Sequence, residues 1–382
     1  MSRQDFVRQV TARESGLVRP ISLFERLHLD PWLLLMLAIL ILGGLFVLYS
    51  GSDARLEAVT QQAIRFLIAA GVMVVFAQLD PSVYRRWTPA FFILGVISLV
   101  AVLVVGVGAK GAQRWLQIPG LMRFQPSEFM KLAVPMMVAW YLSGRTLPPR
   151  LRHVAGALIL VLIPAALIIQ QPDLGTALLV AAAGIFALFF AGMSWKLIGG
   201  FLVMVGSAAP LMWMFVMRDY QKQRVLTLLD PASDPLGAGW NIIQSTTAIG
   251  SGGFTGKGWL QGTQSHLDFL PESHTDFIVA VLGEEFGFVG VVSLLFLYLL
   301  IIARGLYVAA QAQDSFSRLL AGSLTLTFFV YVFVNVGMVS GILPVVGVPL
   351  PLISYGGTSV VTLMAAFGIL MSVHTHKRMI AA

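Results

Sequence analysis

The sequence predicts an all-α polytopic membrane protein of about ten transmembrane helices, with a long external loop between the seventh and the eighth. Three observations carry this. Hydrophobic residues make up 57% of the 382 residues and charged residues only 11%, whereas a soluble domain has roughly 45–50% and about 25%. Apolar runs of bilayer-crossing length recur along the chain, and about 20 such residues make one span. Cys is absent, which removes both a disulfide framework and a thiolate metal site. An ordinary soluble globule, a disordered chain and a coiled coil are thereby excluded. The formal net charge of +7 is read as a division between the two membrane faces, not as a nucleic-acid footprint.

The elements follow in order. Residues 1–29 form a basic tail with Arg3, Arg8, Arg13, Arg19 and Arg26, and no small-residue cleavage site follows a short apolar core. Spans are expected at about 32–50, 62–79, 89–108, 127–143, 154–170, 175–192, 197–217, 277–303, 319–342 and 357–373. The chain thus divides into spans one to seven (30–217), a large external loop (218–275), spans eight to ten (276–373) and a second tail (374–382). An even number of spans places both termini on one side. That side collects 15 of the 25 Lys and Arg residues and the other side 8, with Arg65 and Lys131 within or at the ends of spans. The positive-inside rule makes the richer side cytoplasmic.

The external side holds the segments that could carry chemistry. The loop at 109–126 and the long loop at 218–275 show little apolar periodicity, and loops of such length are often functional. The last external loop, PVVGVPLPLISYGG (344–357), is rich in Pro and Gly. It is expected to fold back into the protein, because irregular backbone at that depth cannot leave its N–H and C=O groups facing lipid. GSGGFTGKGW (250–259) looks like a phosphate-binding loop but fails on spacing, with Ser251 at the first required Gly and Gly258 at the Ser/Thr position.

Three clusters remain. In KGAQRWLQIPGLMRFQPSEFMKL (110–132), Arg114 and Arg123 lie beside Trp115 and Phe124, and Glu128 and Lys131 share a helix face three residues apart. This is either a cationic cradle for an anionic lipid head group or ordinary interfacial anchoring with one ion pair. In QPDLGTA (171–177), Asp173 is either a functional carboxylate or the cap of the sixth span, and a bridge from Asp173 to Lys131 would unite the two. In GTQSHLDFLPESHTDFIVAVLGEEFG (262–287), Asp268, Glu272 and Asp276 are three carboxylates within nine residues. Asp276 stands where polar chain meets the eighth span. Partial desolvation there raises the basicity of a carboxylate, which suits a general base; a helix N-cap is the competing reading.

RFQPSEFMKLA, QPDLGTA, DPLGAGWNIIQS, AIGSGGFTGKGWLQGTQSHLDFLPESHTDFI, NVGMVSGILPVVGVPLPLISYGG and the terminal HTHKRM resemble the SEDS family (shape, elongation, division and sporulation), its elongation branch more than its division branch. The resemblance covers about 30–378, essentially the whole membrane domain. It implies a ten-helix peptidoglycan glycosyltransferase of the bacterial inner membrane. Such an enzyme polymerises lipid II, a polyprenyl-diphosphate disaccharide-pentapeptide, into β-1,4 glycan during cell elongation. It pairs with a class B penicillin-binding protein, the crosslinking transpeptidase, and with other membrane proteins of the elongation machinery. The essential carboxylate of HTDFI falls on Asp276, with His274 and Thr275 beside it as substrate contacts. The Glu and Lys of QPSE-x-x-K fall on Glu128 and Lys131, and the QPDLG carboxylate on Asp173. The chemistry agrees: a sugar hydroxyl must lose a proton to a base, and the departing diphosphate needs cations such as Arg114, Arg123, Lys131 or Lys257, or a divalent ion, magnesium or manganese. Two other classes compete, a lipid II flippase or transporter and a non-catalytic scaffold for a transpeptidase. Candidate charges clustered near one face favour chemistry over transport.

Overall fold

The computed structural model describes residues 23–109, 112–117, 123–217, 219–234, 237–266 and 275–376. The expected tail at 1–22, Lys110, Asp268, Glu272, His274 and the residues from 377 onward lie outside the described residues, as does the side chain of Arg123. Each apolar run becomes a helix. These are α1 (Pro31–Gly51), α2 (Leu56–Gln78), α3 (Pro81–Val105), α4 (Pro126–Ser143), α5 (Leu151–Gln170), α6 (Leu174–Phe190) and α7 (Trp195–Leu211), the last running into a π-helical segment at Met212–Val216. After the long loop come α10 (Ile278–Ala310), α11 (Ser315–Val339) and α12 (Thr358–Thr375). Seven of these are long and apolar enough to cross a membrane unaided; α4 carries two charges, and α6 and α7 are 17 residues each. The chain is a multi-pass membrane protein.

Local chemistry starts several helices. Asp30 and Asp80 each precede a proline at the first helical position, and their carboxylates accept backbone N–H bonds from Trp32 (3.1 Å) and Ser82 (2.7 Å). Pro at that position gives up an N–H that has no helical partner anyway, and the Asp oxygen satisfies another. Asp173 and Asp314 do the same for α6 and α11, accepting from the N–H of Thr176 (3.2 Å) and of Ser317 (3.0 Å).

Helices α4, α6 and α11 pack on one another at the centre, flanked by α3 and α5, while α12 packs along α2 and α10 along α11 and α1. The α2–α12 contact is close because Gly368 lies where a Cβ would meet the Met73 carbonyl at 2.4 Å. The apolar stretches of α11 and α12 are 67% and 61% buried, against 22% for α2 and α10, so the outer helices present apolar side chains to lipid. At one end of the bundle, Arg304 of α10 holds the Asp30 carboxylate with two nitrogens at 2.7 and 3.0 Å. There His28 stacks on His376, ring centroids 3.9 Å apart, and burial followed by the second ring lowers the His28 pKa below its ordinary 6.5.

The two long loops are more ordered than their polarity suggests. The 109–126 region forms a small antiparallel sheet in the order β1 (Val107–Ala109), β2 (Ala112–Gln117), β3 (Arg123–Phe124). The 218–275 region contains α8 (Asp219–Leu229) and α9 (Ala238–Ser251), and α9 packs against α10. Helix α10 itself is broken at Gly287 (φ 62°, ψ −158°). The break releases backbone groups that the loop takes up. Lys257 and Gly258 donate N–H bonds to the Glu284 and Glu285 carbonyls (both 3.0 Å), and Phe288 and Val289 donate to the Gly253 and Phe254 carbonyls (3.0 and 3.2 Å). A Cβ at Gly256 would lie 2.1 Å from the Glu285 carbonyl oxygen. The glycines that mimic a phosphate loop therefore admit another backbone.

Candidate active site

Asp276 lies in a turn over Thr275–Phe277 and is half-buried. Its position follows from three elements. Helix α10 begins at Ile278 with Phe277 as its N-cap, and the Phe277 carbonyl already accepts from Ala280 N–H at 2.8 Å. The capping position therefore falls one residue past Asp276, on Phe277, which makes no side-chain cap bond. Helix α11 contributes Asn335, fully buried, whose Nδ2 donates to the Asp276 carbonyl (2.9 Å) and to the Val348 carbonyl (2.7 Å). The Pro- and Gly-rich loop contributes Gly347 (φ 73°), where a Cβ would stand 3.5 Å from Asp276 Oδ2. That loop folds back against the helices, burying Val348, Leu350, Leu352 and Ile353.

A second group lies one turn along α11. Tyr331 is buried and its ring sits 4.9 Å from Lys131 Nζ. Lys131 donates to Glu128 Oε1 at 2.6 Å, both side chains being almost fully buried. Buried charges are tolerated in such surroundings only when paired, and Glu128 Oε2 has no hydrogen-bond partner among the described residues. Tyr331 and Asn335 occupy positions i and i+4 and share a face, so α11 links the Glu128–Lys131 pair to the backbone of Asp276.

A third group caps α6. Asp173 takes Gln125 Nε2 at 3.3 Å and Arg114 Nη1 at 3.9 Å besides its own helix N–H. Arg114 also donates to the Gln171 carbonyl at 3.3 Å and to the Pro172 carbonyl. Asp173 therefore caps α6, and the cation it pairs with is Arg114. Next to it, Gly175 lets the Val346 carbonyl and Val348 approach to 3.1 and 3.3 Å of where a Cβ would be. The folded-back loop thus touches both the Asp173 cap and Asp276.

Of the residues singled out in the sequence, Glu128, Lys131, Asp173, Arg114, Thr275 and Asp276 are gathered around this loop. Lys257 is not. It donates to Glu284 Oε1 at 2.6 Å and to Thr263 Oγ1 at 2.8 Å, beside the α10 break. Glu284 and Glu285 are fully buried; Glu284 also accepts the Thr263 and Gln264 N–H groups, and Glu285 accepts Leu260 N–H and the Ser50 hydroxyl. The backbone of Arg123 lies in β3. The sequence reading missed Tyr331, Asn335, Glu284 and Glu285. The signal was available, since polar residues at i and i+4, or two adjacent carboxylates, inside an apolar run are themselves anomalies. Among the described residues no three His, Asp or Glu side chains converge to hold a metal ion.

A many-helix membrane bundle with a folded-back loop, buried ion pairs and a half-buried carboxylate defines a class, the multi-pass membrane proteins. The chain belongs to the cell cycle protein family of FtsW, RodA and SpoVE, whose family model matches residues 31–379. It is 54% identical over 358 residues to the peptidoglycan glycosyltransferase MrdB of Escherichia coli, covering 94% of this chain and 96% of that one. It is 36% identical to a probable peptidoglycan glycosyltransferase FtsW of Trichlorobacter lovleyi over 92% of this chain and 94% of that one. Among solved structures it resembles a chain of a peptidoglycan synthase complex that coordinates polymerization and crosslinking (TM-score 0.79, 30% identity, 90% of this chain and 97% of that one). It also resembles the rod shape determining protein RodA of Thermus thermophilus (TM-score 0.68, 28% identity, 90% and 96%).

Proposed function

We propose that this chain is a peptidoglycan glycosyltransferase that polymerises lipid II into β-1,4 glycan strands for cell elongation, with Asp276 as general base. The observation that carries the assignment is the placement of Asp276. Its backbone is clamped by Asn335 and the folded-back loop while its carboxylate stays half-buried and outside the helix cap. The carboxylate takes the proton from a sugar hydroxyl of one lipid-linked glycan. That oxygen forms a bond to the anomeric carbon of the other, and the anomeric C–O bond to diphosphate breaks, the diphosphate leaving with the electron pair. A positioned base contributes about 10²–10⁴-fold to such a step. Lys131 has three donors and uses one on Glu128, so it supplies positive charge on the side of the loop that meets α4 and α11. Arg114 holds the Asp173 turn against the loop. His274, Thr275 and Arg123 complete the proposed substrate contacts. The site opens at the external membrane face, both termini are cytoplasmic, and a class B penicillin-binding protein crosslinks the product.

Purified protein in proteoliposomes, given lipid II from outside, is expected to make glycan polymer, measured with and without a class B partner. Chelator, then added magnesium or manganese, measures the share of a divalent cation. Movement of lipid II between leaflets with no polymer would assign a flippase instead, and neither activity would leave a scaffold.

A further inference from the structure

The cations singled out in the sequence whose side chains are described are already committed. Arg114 holds Asp173, Lys131 holds Glu128, and Lys257 holds Glu284. Arg65 is different. It sits nine residues into α2, roughly 14 Å along a helix rising about 1.5 Å per residue, near the start of the apolar run expected at 62–79. No carboxylate reaches it. Its hydrogen-bond partner is Gln62 Oε1, at a long 3.4 Å from Nη1, and its guanidinium stacks 4.4 Å over the Tyr355 ring. A guanidinium has five N–H donors. Apart from that one bond, these donors meet no protein acceptor among the described residues.

The surroundings are built, and they belong to the same loop as Asp276. Tyr355 donates its hydroxyl to Gln61 Oε1 at 2.8 Å, Gly356 donates its N–H to Gln62 Oε1 at 3.3 Å, and Gln62 Nε2 donates to the Ser354 carbonyl at 3.5 Å. The end of the folded-back loop is thus pinned on α2 with an aromatic face beneath the charge. Stacking on an aromatic ring holds a guanidinium in place while its edge donors stay available. Glu57, two turns away, accepts from Gln61 Nε2 at 3.1 Å. On one side of Arg65 lie buried Gln62, Phe66 and Ala69; on the other lie Ile64, Leu67 and Ile68, 56%, 73% and 57% exposed. Arg65 is half-buried at that boundary, so its open edge is approached from the lipid side. An ionised group in a span without a partner is costly, and an anion carried by a lipid would satisfy it.

We propose that Arg65, backed by Tyr355, is a binding site for the diphosphate of a polyprenyl lipid, a second head-group subsite across the folded-back loop from the Glu128–Lys131 pair. The proposal rests on the glycosyltransferase reading, because a reaction joining two lipid-linked glycans must hold two diphosphates. Tyr355 is eight residues from Gly347, which bounds the loop path between the two regions at roughly 28 Å of extended chain. A bidentate guanidinium suits a diphosphate geometrically.

The test uses the full chain in nanodiscs and, as probe, a polyprenyl diphosphate bearing no sugar, so that binding is read without turnover. Arg65→Gln is expected to weaken binding about tenfold or more, the scale of a lost charge-assisted bond. Arg65→Lys, which keeps the charge but loses the bidentate fork and the stacking plane, should bind clearly more weakly than wild type, and Asp276→Asn should bind normally even if it is inactive. Wild-type affinity in Arg65→Gln would overturn the proposal, as would wild-type affinity in Arg65→Lys. Inorganic diphosphate binding as tightly as the lipid, and depending on Arg65, would overturn the lipid assignment. Should Arg65→Gln fail to fold, the wild-type protein decides: equal affinity for the neutral polyprenol sinks the proposal. Loss of probe binding in Arg65→Gln with no polymerase activity in the wild type would support the site and refute the reaction.

Discussion

At the scale of single residues, two aspartates that look alike in the sequence do different work. Asp173 caps α6 and holds Arg114, whereas Asp276 stands one residue before the cap of α10. The difference fixes what Asn does at each place. Asn caps about as well as Asp but cannot take a proton. Asp276→Asn is therefore expected to insert, fold and bind its partner normally while losing glycan synthesis. Asp276→Glu, displaced by a methylene, should lose about 10²-fold, the cost of misplacement on the order of 1 Å. Polymerisation by purified Asp276→Asn near the wild-type rate would remove the base assignment. Asn335 gives a subtler case. Asn335→Asp is isosteric yet turns an acceptor toward two carbonyls that it formerly satisfied, at about 1–3 kcal/mol for each orphaned group. It is expected to lower kcat at least about tenfold while leaving KM for lipid II within about threefold. A change confined to KM would mean that Asn335 contacts substrate instead of positioning Asp276.

At the scale of elements, the break in α10 and the loop laid into it form one unit. Glu284 closes it, accepting the Lys257 ammonium and two backbone N–H groups while fully buried. Glu284→Gln keeps the volume but removes the charge that pairs Lys257, which is one-quarter exposed. A stability loss on the order of 2 kcal/mol is expected, less than for a wholly buried pair, read as a lowered melting temperature in detergent. Restored stability in Glu284→Gln combined with Lys257→Met would confirm that the cost is the unpaired cation. Lys257→Met alone should also destabilise, and an unchanged melting temperature in Glu284→Gln would refute the anchoring role. Hydropathy concealed this unit in the sequence. A run of apolar residues is scored by its average, and two adjacent carboxylates barely lower the mean of 33 residues. Helix α9 was equally hidden, because its neighbours in the loop are polar and its packing face is set by α10, which lies far along the chain.

At the scale of the whole molecule, the alternation of apolar runs made the ten-helix architecture legible, since each run must satisfy its own backbone in lipid. The arrangement of the helices was not legible. That α4, α6 and α11 form the centre follows from small residues such as Gly184 of α6 and Gly322 of α11, where a Cβ would meet Val134 of α4 at 3.1 Å and Phe190 of α6 at 2.6 Å, and pairing across such distances in sequence leaves no local pattern. The candidate site divided in the same way. Asp276, Glu128 and Lys131 were recognisable from their motifs, whereas Asn335 and Tyr331 matter only because α11 passes behind them. Orientation is directly testable: a reporter at Gly239 is expected to be external and one at Pro149 cytoplasmic, from the asymmetry of Arg and Lys. Both reporters on one side would break the topology.

The clasp between Asp30 and Arg304 has a consequence for how the molecule is made. Asp30 is fully buried at the start of the first helix, and its cation arrives 274 residues later. A ribosome adding roughly 5–20 residues per second leaves that carboxylate without its partner for something like 14 to 55 seconds. During that interval the newborn first helix must keep Asp30 at the water-facing edge of the membrane. Only when the eighth helix has been threaded can the first settle into place, and α2 must wait longer still for α12. Assembly in the membrane is therefore completed by the last-synthesised segments. Nascent chains stalled before Arg304 would hold Asp30 by its own helix N–H groups alone, without the cation that completes the clasp.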